Sequence, residues 1–259
     1  IRDRYLSNNT MTQYENEVKK RDVMCCMNAG NQGCGRKWSR MRIITDTGTD
    51  ILDKEAKKLG IELVAIRSNF TDTVFSENTE AEFTRFYDKL RQTDTLPVSS
   101  QPSPAEFLEL FEDVKEKQEE VVVITISSKL SGTYNGAMLA KDMAESDNIY
   151  VVDSLQASLS ERLLVEYAVK LRDAGMGAKE LVRKLEQDRE RVILTGVPST
   201  LLYLKMGGRI SPVVAAVGGV IGIKPVLWLK DGVIESRSKA RGMRMALSLI
   251  HISEPTRRS

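Results

Sequence analysis

Histidine is nearly absent from this chain of 259 residues, which restricts the chemistry that the chain can perform. A serine hydrolase needs a base, usually a histidine, and the single histidine is His251 near the C-terminal end. The sequence has no GxxxxGKS/T loop, no GxGxxG after a strand and no cluster with metal-ligand spacing. Asp46, Asp50 and Asp153 follow predicted strands, where turn capping is favoured over a metal site. We therefore predict no catalytic residues, no metal and no cofactor: the chain is not an enzyme.

Cysteines and long apolar runs are also scarce. Cys25, Cys26 and Cys34 are the only cysteines, and a CC…C set without a nearby histidine fits neither a zinc site nor an even disulfide framework. We expect reduced thiols. The longest apolar run, residues 212–226, is interrupted by glycines and a lysine and falls short of the ~20 residues of a membrane helix. With no recognisable secretory signal, we expect a cytoplasmic protein.

The excess of positive charge comes from the two ends of the chain. The whole sequence has 38 Lys and Arg against 36 Asp and Glu, a formal net charge of +2. Residues 1–40 hold eight of the basic and four of the acidic side chains, and residues 251–259 hold two and one. Residues 41–250 therefore carry 28 basic and 31 acidic side chains, a net charge of −3. This balance argues against a nucleic-acid partner.

The two ends also differ from the middle in pattern. Residues 1–40 are polar, lack a periodic apolar face and contain the loop-like segment AGNQGCG. We expect a non-native or disordered extension with Met41 as the native start, and the alternative is a genuine regulatory arm. Residues 251–259 resemble a translated sequencing adaptor, so we expect an aberrant tail and a second domain that lacks its final elements.

Strand-like and helix-like segments alternate from Met41 onward. The segments that begin at Met41 and Val121 are short and β-branched, and each is followed by a polar turn and a helical pattern. This order predicts an α/β domain over residues 41–157, with a parallel sheet covered by helices on both faces. We predict a smaller, incomplete α/β domain over residues 158–250, with a hairpin at the Asp-Gly turn.

Two serine-rich segments precede predicted helices. Ser99–Pro104 (SSQPSP) leads into a helix that begins at a proline, and Ser127–Tyr134 (SSKLSGTY) joins the most apolar strand to a helix. Hydroxyls and backbone N–H groups at a helix N-terminus suit an anion. In an open parallel sheet such turns lie beyond the carboxyl ends of the strands, where ligands bind. Capping alone would explain each segment, whereas the two together favour one pocket.

A third segment offers a cation beside an apolar stretch. In Lys205–Ser211 (KMGGRIS) paired glycines precede Arg209, which indicates either a helix C-cap with a solvated arginine or a cation for an anionic ligand. The following residues 213–223 are apolar with small residues between them. This pattern is typical of a core helix, and it also suits a tunnel for an acyl chain.

Six segments, in this order and at these spacings, resemble the DegV family. They are TDTGTD at 45–50, SSQPSP at 99–104, SSKLSGTY at 127–134, VVDS at 151–154, LKMGGRIS at 204–211 and IKPVLWLKDG at 223–232. The resemblance covers roughly residues 41–250. It implies a DegV-like two-domain α/β fold that buries one long-chain fatty acid between its domains.

The resemblance also implies a function and a partner. Bacterial members serve as the lipid-binding subunit of a fatty acid kinase, whose separate ATP-binding subunit phosphorylates the bound carboxylate to an acyl phosphate. The chain would then be a carrier with a fatty acid as ligand, and transient contact with a membrane surface is compatible with that role. From the residues alone, the alternatives are an enzyme that handles phosphoryl or acyl groups through the Ser/Gly turns, and a fragment without binding competence.

Residue by residue, the resemblance assigns the fatty-acid carboxylate to Ser99 and Ser131. Ser99 stands where the family has a threonine, which keeps the hydroxyl but loses the methyl group that restricts its rotamer. The residues expected to support the head group are Ser100, Ser127, Ser128, Gly132 and Arg209. His251 receives no role, because the ending of the chain departs from the family pattern.

Overall fold

Strands and helices alternate through most of the chain. The computed structural model describes residues 41–93, 95–209 and 222–252. The strands are β1 Met41–Asp46, β2 Glu62–Val64, β3 Arg67–Asn69, β4 Val74–Phe75, β5 Val98–Ser100, β6 Glu120–Thr125, β7 Ile149–Asp153, β8 Leu194–Gly196, β9 Ile223–Lys230 and β10 Val233–Arg241. The α-helices are α1 Asp53–Leu59, α2 Glu80–Gln92, α3 Pro104–Glu116, α4 Thr133–Ala144, α5 Leu159–Asp173, α6 Ala178–Asp188, α7 Leu202–Met206 and α8 Met243–Ile252.

A four-stranded parallel sheet forms the centre of the larger part. Its strands lie in the order β2-β1-β6-β7, and every neighbouring pair is parallel. The register places Asp46 of β1 beside Val64 of β2, and Thr125 of β6 beside Asp153 of β7. The carboxyl ends of the four strands therefore meet at one edge. This arrangement confirms the predicted parallel sheet.

Helices cover both faces of this sheet, as predicted. Adjacent β1 side chains point to opposite faces, so Ile43 belongs to one buried cluster and Ile44 to the other. Helices α1, α5 and α6 contribute to the first cluster, and α3 and α4 contribute to the second. Strand β6 lies between them, and its residues Val121 to Ile124 are all 0% exposed. The central run of β6 is apolar because both faces of the sheet are buried.

Two small antiparallel sheets flank this core. Strands β4-β3-β5 form one, and α2 packs against it through edge-to-face contacts among Phe70, Phe75 and Phe86. Strands β10-β9-β8 form the other. Its β9–β10 hairpin turns at Asp231 and Gly232, as the sequence predicts. Helix α8 packs on this sheet at Val226.

Helices α5 and α6 follow the domain boundary predicted between residues 157 and 158, and they pack against the parallel sheet. Helices α5 and α6 share a buried cluster with the parallel sheet, and Leu164 and Leu181 lie in it with Ile43. A parallel sheet needs cover on both faces, and the seven-residue α1 is too short to cover one of them. The chain enters the second antiparallel sheet only at β8.

Several predicted segments lie outside the described residues. They are the extension 1–40, residues 253–259 of the tail, and residues 210–221, which hold most of the apolar stretch proposed as a tunnel lining. Among the described helices, none has the length and apolar character needed to cross a membrane.

Candidate functional site

A pocket lies where the carboxyl end of β6 meets β5, α7 and β10. Its volume is about 300 Å³. The residues that line it are Ile66, Ser99, Ile126, Leu130, Ser131, Tyr203, Leu204, Gly207, Arg209 and Ile234. Most of these side chains are apolar, and a few polar groups accompany them, as in small-molecule sites generally. Ser99, Ser131 and Arg209, which the sequence predicts as head-group residues, line this one pocket.

Ser131 belongs to the turn between β6 and α4. Its backbone N–H donates to the Ser127 carbonyl at 3.1 Å. Its hydroxyl accepts from the Thr133 N–H at 3.3 Å and lies 2.9 Å from the Thr133 hydroxyl. These bonds form a serine turn just before α4, whose N-cap is Gly132, so Ser131 has a local structural role without being the cap. Ser131 is also one of the residues that line the pocket.

Ser99 does not follow a parallel strand, which corrects the expectation that both serine segments lie at corresponding strand ends. It lies within β5, where it pairs with Ser68 of β3. Capping of α3 falls instead to Ser103, whose hydroxyl accepts from the Glu106 N–H at 3.3 Å while the Glu106 carboxylate accepts from the Ser103 N–H at 2.9 Å. Ser99 is therefore not used as a cap, and its exposed side chain lines the pocket.

A side-chain contact brings the two serine segments together. Gly132 stands beside the side chain of Gln101, and a Cβ atom at position 132 would lie 1.9 Å from the Gln101 Oε1 atom. A larger residue at this position would require the Gln101 side chain to move. Gly132 therefore supports the contact between the two segments, although it does not line the pocket.

Arg209 follows the glycines that end α7. Gly208 has φ +73°, a left-handed conformation that suits a glycine after a helix. The Arg209 Nε donates to the Leu130 carbonyl at 3.3 Å, and its Nη1 donates to the Gly207 carbonyl. Both carbonyls belong to pocket-lining residues. The guanidinium therefore joins α7 to the turn of Ser131 and places a positive charge at the pocket.

Three further predicted residues lie outside the pocket lining. The Ser100 hydroxyl accepts from the Asn69 Nδ2 at 3.0 Å within the small sheet. The buried Ser127 hydroxyl donates to the Gly232 carbonyl at 2.8 Å, which ties the β6–α4 turn to the β9–β10 hairpin. Ser128 bonds through its backbone N–H to Asp153, at 3.1 Å. These contacts hold the pocket's surroundings in place.

A pair of buried carboxyl groups lies at the end of β1. Asp46 is 0% exposed, and its carboxylate accepts from the Ile126 N–H at 2.8 Å and the Gly48 N–H at 2.9 Å. Burial raises the pKa of Asp46 to about 7. Glu161 of α5 is also 0% exposed, and burial together with the nearby charges of Asp46 and its neighbours raises its pKa well above the ordinary range. Glu161 escaped the sequence analysis, although its spacing with Leu164 and Val165 places it on the buried face of α5.

The three aspartates considered for a metal form turns. Asp46 caps the turn Thr47–Thr49, Asp153 accepts from the Ser128 and Leu155 N–H groups, and Asp50 accepts from the Ser158 hydroxyl. Within the described ranges, no group of three or more His, Cys, Asp or Glu residues is arranged to hold a metal ion.

Comparison with known families identifies the chain. A family model described as "Uncharacterised protein, DegV family" matches residues 40–253. The chain belongs to the DegV family. It is 32% identical over 211 residues to a DegV domain-containing protein of Caldanaerobacter subterraneus, covering 82% of this chain and 75% of that protein. A DegV domain-containing protein of Halalkalibacterium halodurans is 33% identical over 204 residues, covering 78% of this chain and 72% of that protein.

Solved DegV structures share the fold. A DegV family protein from Thermus thermophilus, described as fatty acid binding, matches with a TM-score of 0.73 and 31% identity over 82% of this chain and 77% of that one. A stearic acid-binding protein from Eubacterium ventriosum matches with a TM-score of 0.74 and 28% identity over 82% of this chain and 75% of that one. The DegV-like α/β fold expected from the sequence is therefore confirmed.

Proposed function

We propose that this DegV chain is a bacterial cytoplasmic carrier that binds one long-chain fatty acid in the pocket described above. The observation that carries the proposal is that Ser99, Ser131 and Arg209 come from three distant segments and line one largely apolar pocket. Solved relatives described as fatty-acid-binding or stearic acid-binding support it. A carboxylate at the polar groups and an acyl chain along the apolar wall account for both parts of the lining.

The hydroxyl groups have the capacity to hold a carboxylate. A serine hydroxyl has one donor and two acceptor positions. If Ser131 accepts from both the N–H and the hydroxyl of Thr133, its own O–H is free to donate to a ligand oxygen. Ser99 offers a second O–H, and the nearby Arg209 guanidinium favours an anion. Hydrogen bonds to a charged group contribute about 1.5 to 3 kcal/mol each.

The apolar lining supplies the affinity for the acyl chain. Ile66, Ile126 and Leu130 lie on the side of the pocket next to the parallel sheet, and Leu204 and Ile234 lie on the other. Burial of each CH₂ group contributes about 0.8 kcal/mol. A long acyl chain therefore gains more from burial than the head group gains from its hydrogen bonds. The polar groups select a carboxylate and fix its position.

Presentation of the head group to another protein is the second part of the proposal. Ser99 and Arg209 are both exposed, so a carboxylate bound between them would lie within reach of a partner. We propose that the partner is the ATP-binding subunit of a fatty acid kinase, which transfers a phosphoryl group to the carboxylate and forms an acyl phosphate. The only hydroxyl or acid group bonded to the Ser131 hydroxyl within the described residues is that of Thr133, which is no base. The carrier would then position the carboxylate, and the partner would catalyse the phosphoryl transfer.

A titration with oleate tests the head-group assignment. Ser131→Ala should weaken binding by about 1 to 3 kcal/mol, roughly fivefold to a hundredfold, because a hydrogen bond to a charged group is lost. Ser128→Ala, in the same turn but outside the lining, is the matched control and should bind like the wild type. Oleyl alcohol should bind more weakly than oleate to the wild type and equally to both variants. Equal oleate affinity of Ser131→Ala and Ser128→Ala would show that Ser131 has only its local structural role.

A further inference from the structure

The buried Asp46 is connected to two residues of the pocket lining on the side next to the parallel sheet. Its carboxylate binds the Ile126 N–H directly at 2.8 Å, and Ile126 lines the pocket. Its other bond, to the Gly48 N–H at 2.9 Å, holds the short turn Thr47–Thr49. In that turn the Thr47 hydroxyl accepts from the Ile66 N–H at 2.9 Å, and Ile66 also lines the pocket. One carboxylate is thus linked, directly or through the turn Thr47–Thr49, to two apolar residues of the pocket lining.

The space around Asp46 leaves no room for a change in this arrangement. A Cβ atom at Gly48 would lie 2.7 Å from the Asp46 Oδ1, 3.2 Å from the Ile126 Cδ1 and 3.3 Å from the Glu161 Oε2. The turn therefore packs directly on both carboxyl groups. If either N–H bond of Asp46 is lost, Ile126 or the turn that holds Ile66 has to shift.

The charges that surround Asp46 are mainly negative. Glu161 faces it from α5, and within the described residues neither oxygen of Glu161 has a hydrogen-bond partner. Asp50, beyond the turn, and Asp153, at the end of β7, add to the negative field on Glu161. The nearby Arg189 uses its guanidinium to donate to the Asp153 backbone carbonyl at 2.6 Å. Burial and these charges raise the pKa of Glu161, while Asp46 is the group that accepts two N–H bonds.

We propose that Asp46 is a positioning residue for the fatty-acid pocket, and that its ionised carboxylate holds Ile66 and Ile126 in the arrangement that binds an acyl chain tightly. This inference rests on the proposed fatty-acid binding. An ionised carboxylate accepts both N–H bonds, whereas a protonated one turns one oxygen into a donor that needs an acceptor. The pocket should therefore hold its ligand less tightly at a pH at which Asp46 carries a proton.

The expected pH range follows from the burial of Asp46. With its pKa raised to about 7, the carboxylate is mostly ionised at pH 8.5 and mostly protonated at pH 6. Asp46→Asn keeps the size of the side chain but offers only one acceptor oxygen. This variant should therefore bind oleate like the protonated wild type at every pH.

The test measures the dissociation constant of oleate between pH 6 and 8.5 for wild type, Asp46→Asn and the control Asp50→Asn. The ligand's own titration affects all three proteins equally. The dissociation constant of a variant divided by that of the wild type therefore reports only the effect of the substitution. For Asp46→Asn we expect a dissociation constant about three to ten times that of the wild type at pH 8.5, and a value close to that of the wild type at pH 6. For Asp50→Asn, whose left-handed φ of 57° also suits asparagine, the ratio should stay at one. A ratio for Asp46→Asn that is constant with pH would overturn the proposal, since it would indicate a general structural defect.

Two further variants keep the inference testable if Asp46→Asn fails to fold. Thr47→Val removes the hydroxyl that holds Ile66 and should weaken oleate binding about threefold at every pH, since Asp46 itself is retained. Glu161→Gln removes the second carboxyl group and should leave the pH profile of the wild type unchanged, because Asp46 and not Glu161 accepts the Ile126 and Gly48 N–H bonds. A displaced profile in Glu161→Gln, or unchanged binding in Thr47→Val, would overturn the assignment to Asp46. Absence of oleate binding by the wild type at pH 8.5 would instead overturn the proposed function, and this inference with it.

Discussion

The two sides of the pocket are built very differently. On one side, Ile126 and Ser131 follow β6, whose residues Val121 to Ile124 are fully buried between two layers of helices. On the other side, Leu204 packs in a small cluster whose one buried member among the described residues is Leu227, at 6% exposure. Tyr203 on the same side is 49% exposed. The comparison suggests that the parallel-sheet side keeps a fixed shape and that the α7 side adapts to the ligand, because local stability follows the density of buried apolar contacts.

The largest expected difference between the two sides concerns stability. Phe111→Ala should lower the free energy of unfolding by about 3 to 5 kcal/mol, because Phe111 is 0% exposed in the core of the parallel sheet. Leu227→Ala on the α7 side should cost about 2 kcal/mol, since its cluster is small and collapses more readily. Urea denaturation of both variants measures the two losses. An equal loss would mean that the α7 side is packed as firmly as the sheet.

The next effect is a dependence of stability on pH that originates on the parallel-sheet side. The pKa of Asp46 rises from 3.8 to about 7 on folding, so between these values the folded protein holds a proton that the unfolded chain has released. This contribution is fully present below pH 3.8, declines as the pH rises and is lost above pH 7, with a size on the order of 4 kcal/mol. The pKa of Glu161 is also raised, so this group likewise makes the folded protein less stable as the pH rises.

Thermal melting between pH 5 and 8 checks this prediction. The melting temperature of the wild type should fall toward pH 8, and Asp46→Asn should flatten that slope because asparagine does not titrate. A wild-type melting temperature that rises over the same range would contradict it. Ligand binding is expected to strengthen over the range in which stability falls, so the two measurements separate the positioning role of Asp46 from its effect on folding.

The smallest expected effect concerns the bond that joins the two sides. Ser127→Ala removes the hydroxyl that donates to the Gly232 carbonyl and leaves that carbonyl without its partner. We expect a loss of about 1 to 2 kcal/mol in the free energy of unfolding, measured by urea denaturation. Ser128→Ala, in the next position, is the control and should change it by less than about 0.5 kcal/mol. If the two variants were equally stable, the hairpin would not depend on this contact.

The sequence could predict features that depend on local patterns, and it could not predict those that depend on long-range packing. The apolar run of β6 and the Asp-Gly turn of the hairpin are local patterns, and both predicted elements are present. Strands β3, β4 and β5 have two or three residues each, too few for a periodic pattern, and their sheet was not predicted. The covering of the parallel sheet by α5 and α6 depends on long-range packing that no local pattern contains.

The pocket also has residues that motifs can select and contacts that only the fold reveals. Motif resemblance was enough to select Ser99, Ser131 and Arg209, which share the lining. Resemblance did not distinguish them from Ser127, whose bond to the hairpin depends on a contact between residues 105 positions apart. The link from Asp46 to the pocket passes through backbone N–H groups, which sequence patterns do not reveal.

Mass spectrometry of lipids extracted from the purified, denatured protein tests the central claim most directly. If the chain is a fatty-acid carrier, the extract of the wild type should contain a long-chain fatty acid in nearly equimolar amount, and Ser131→Ala should retain much less of it than Ser128→Ala. An extract without fatty acid, from a protein that also shows no rise in melting temperature with added oleate, would contradict the account.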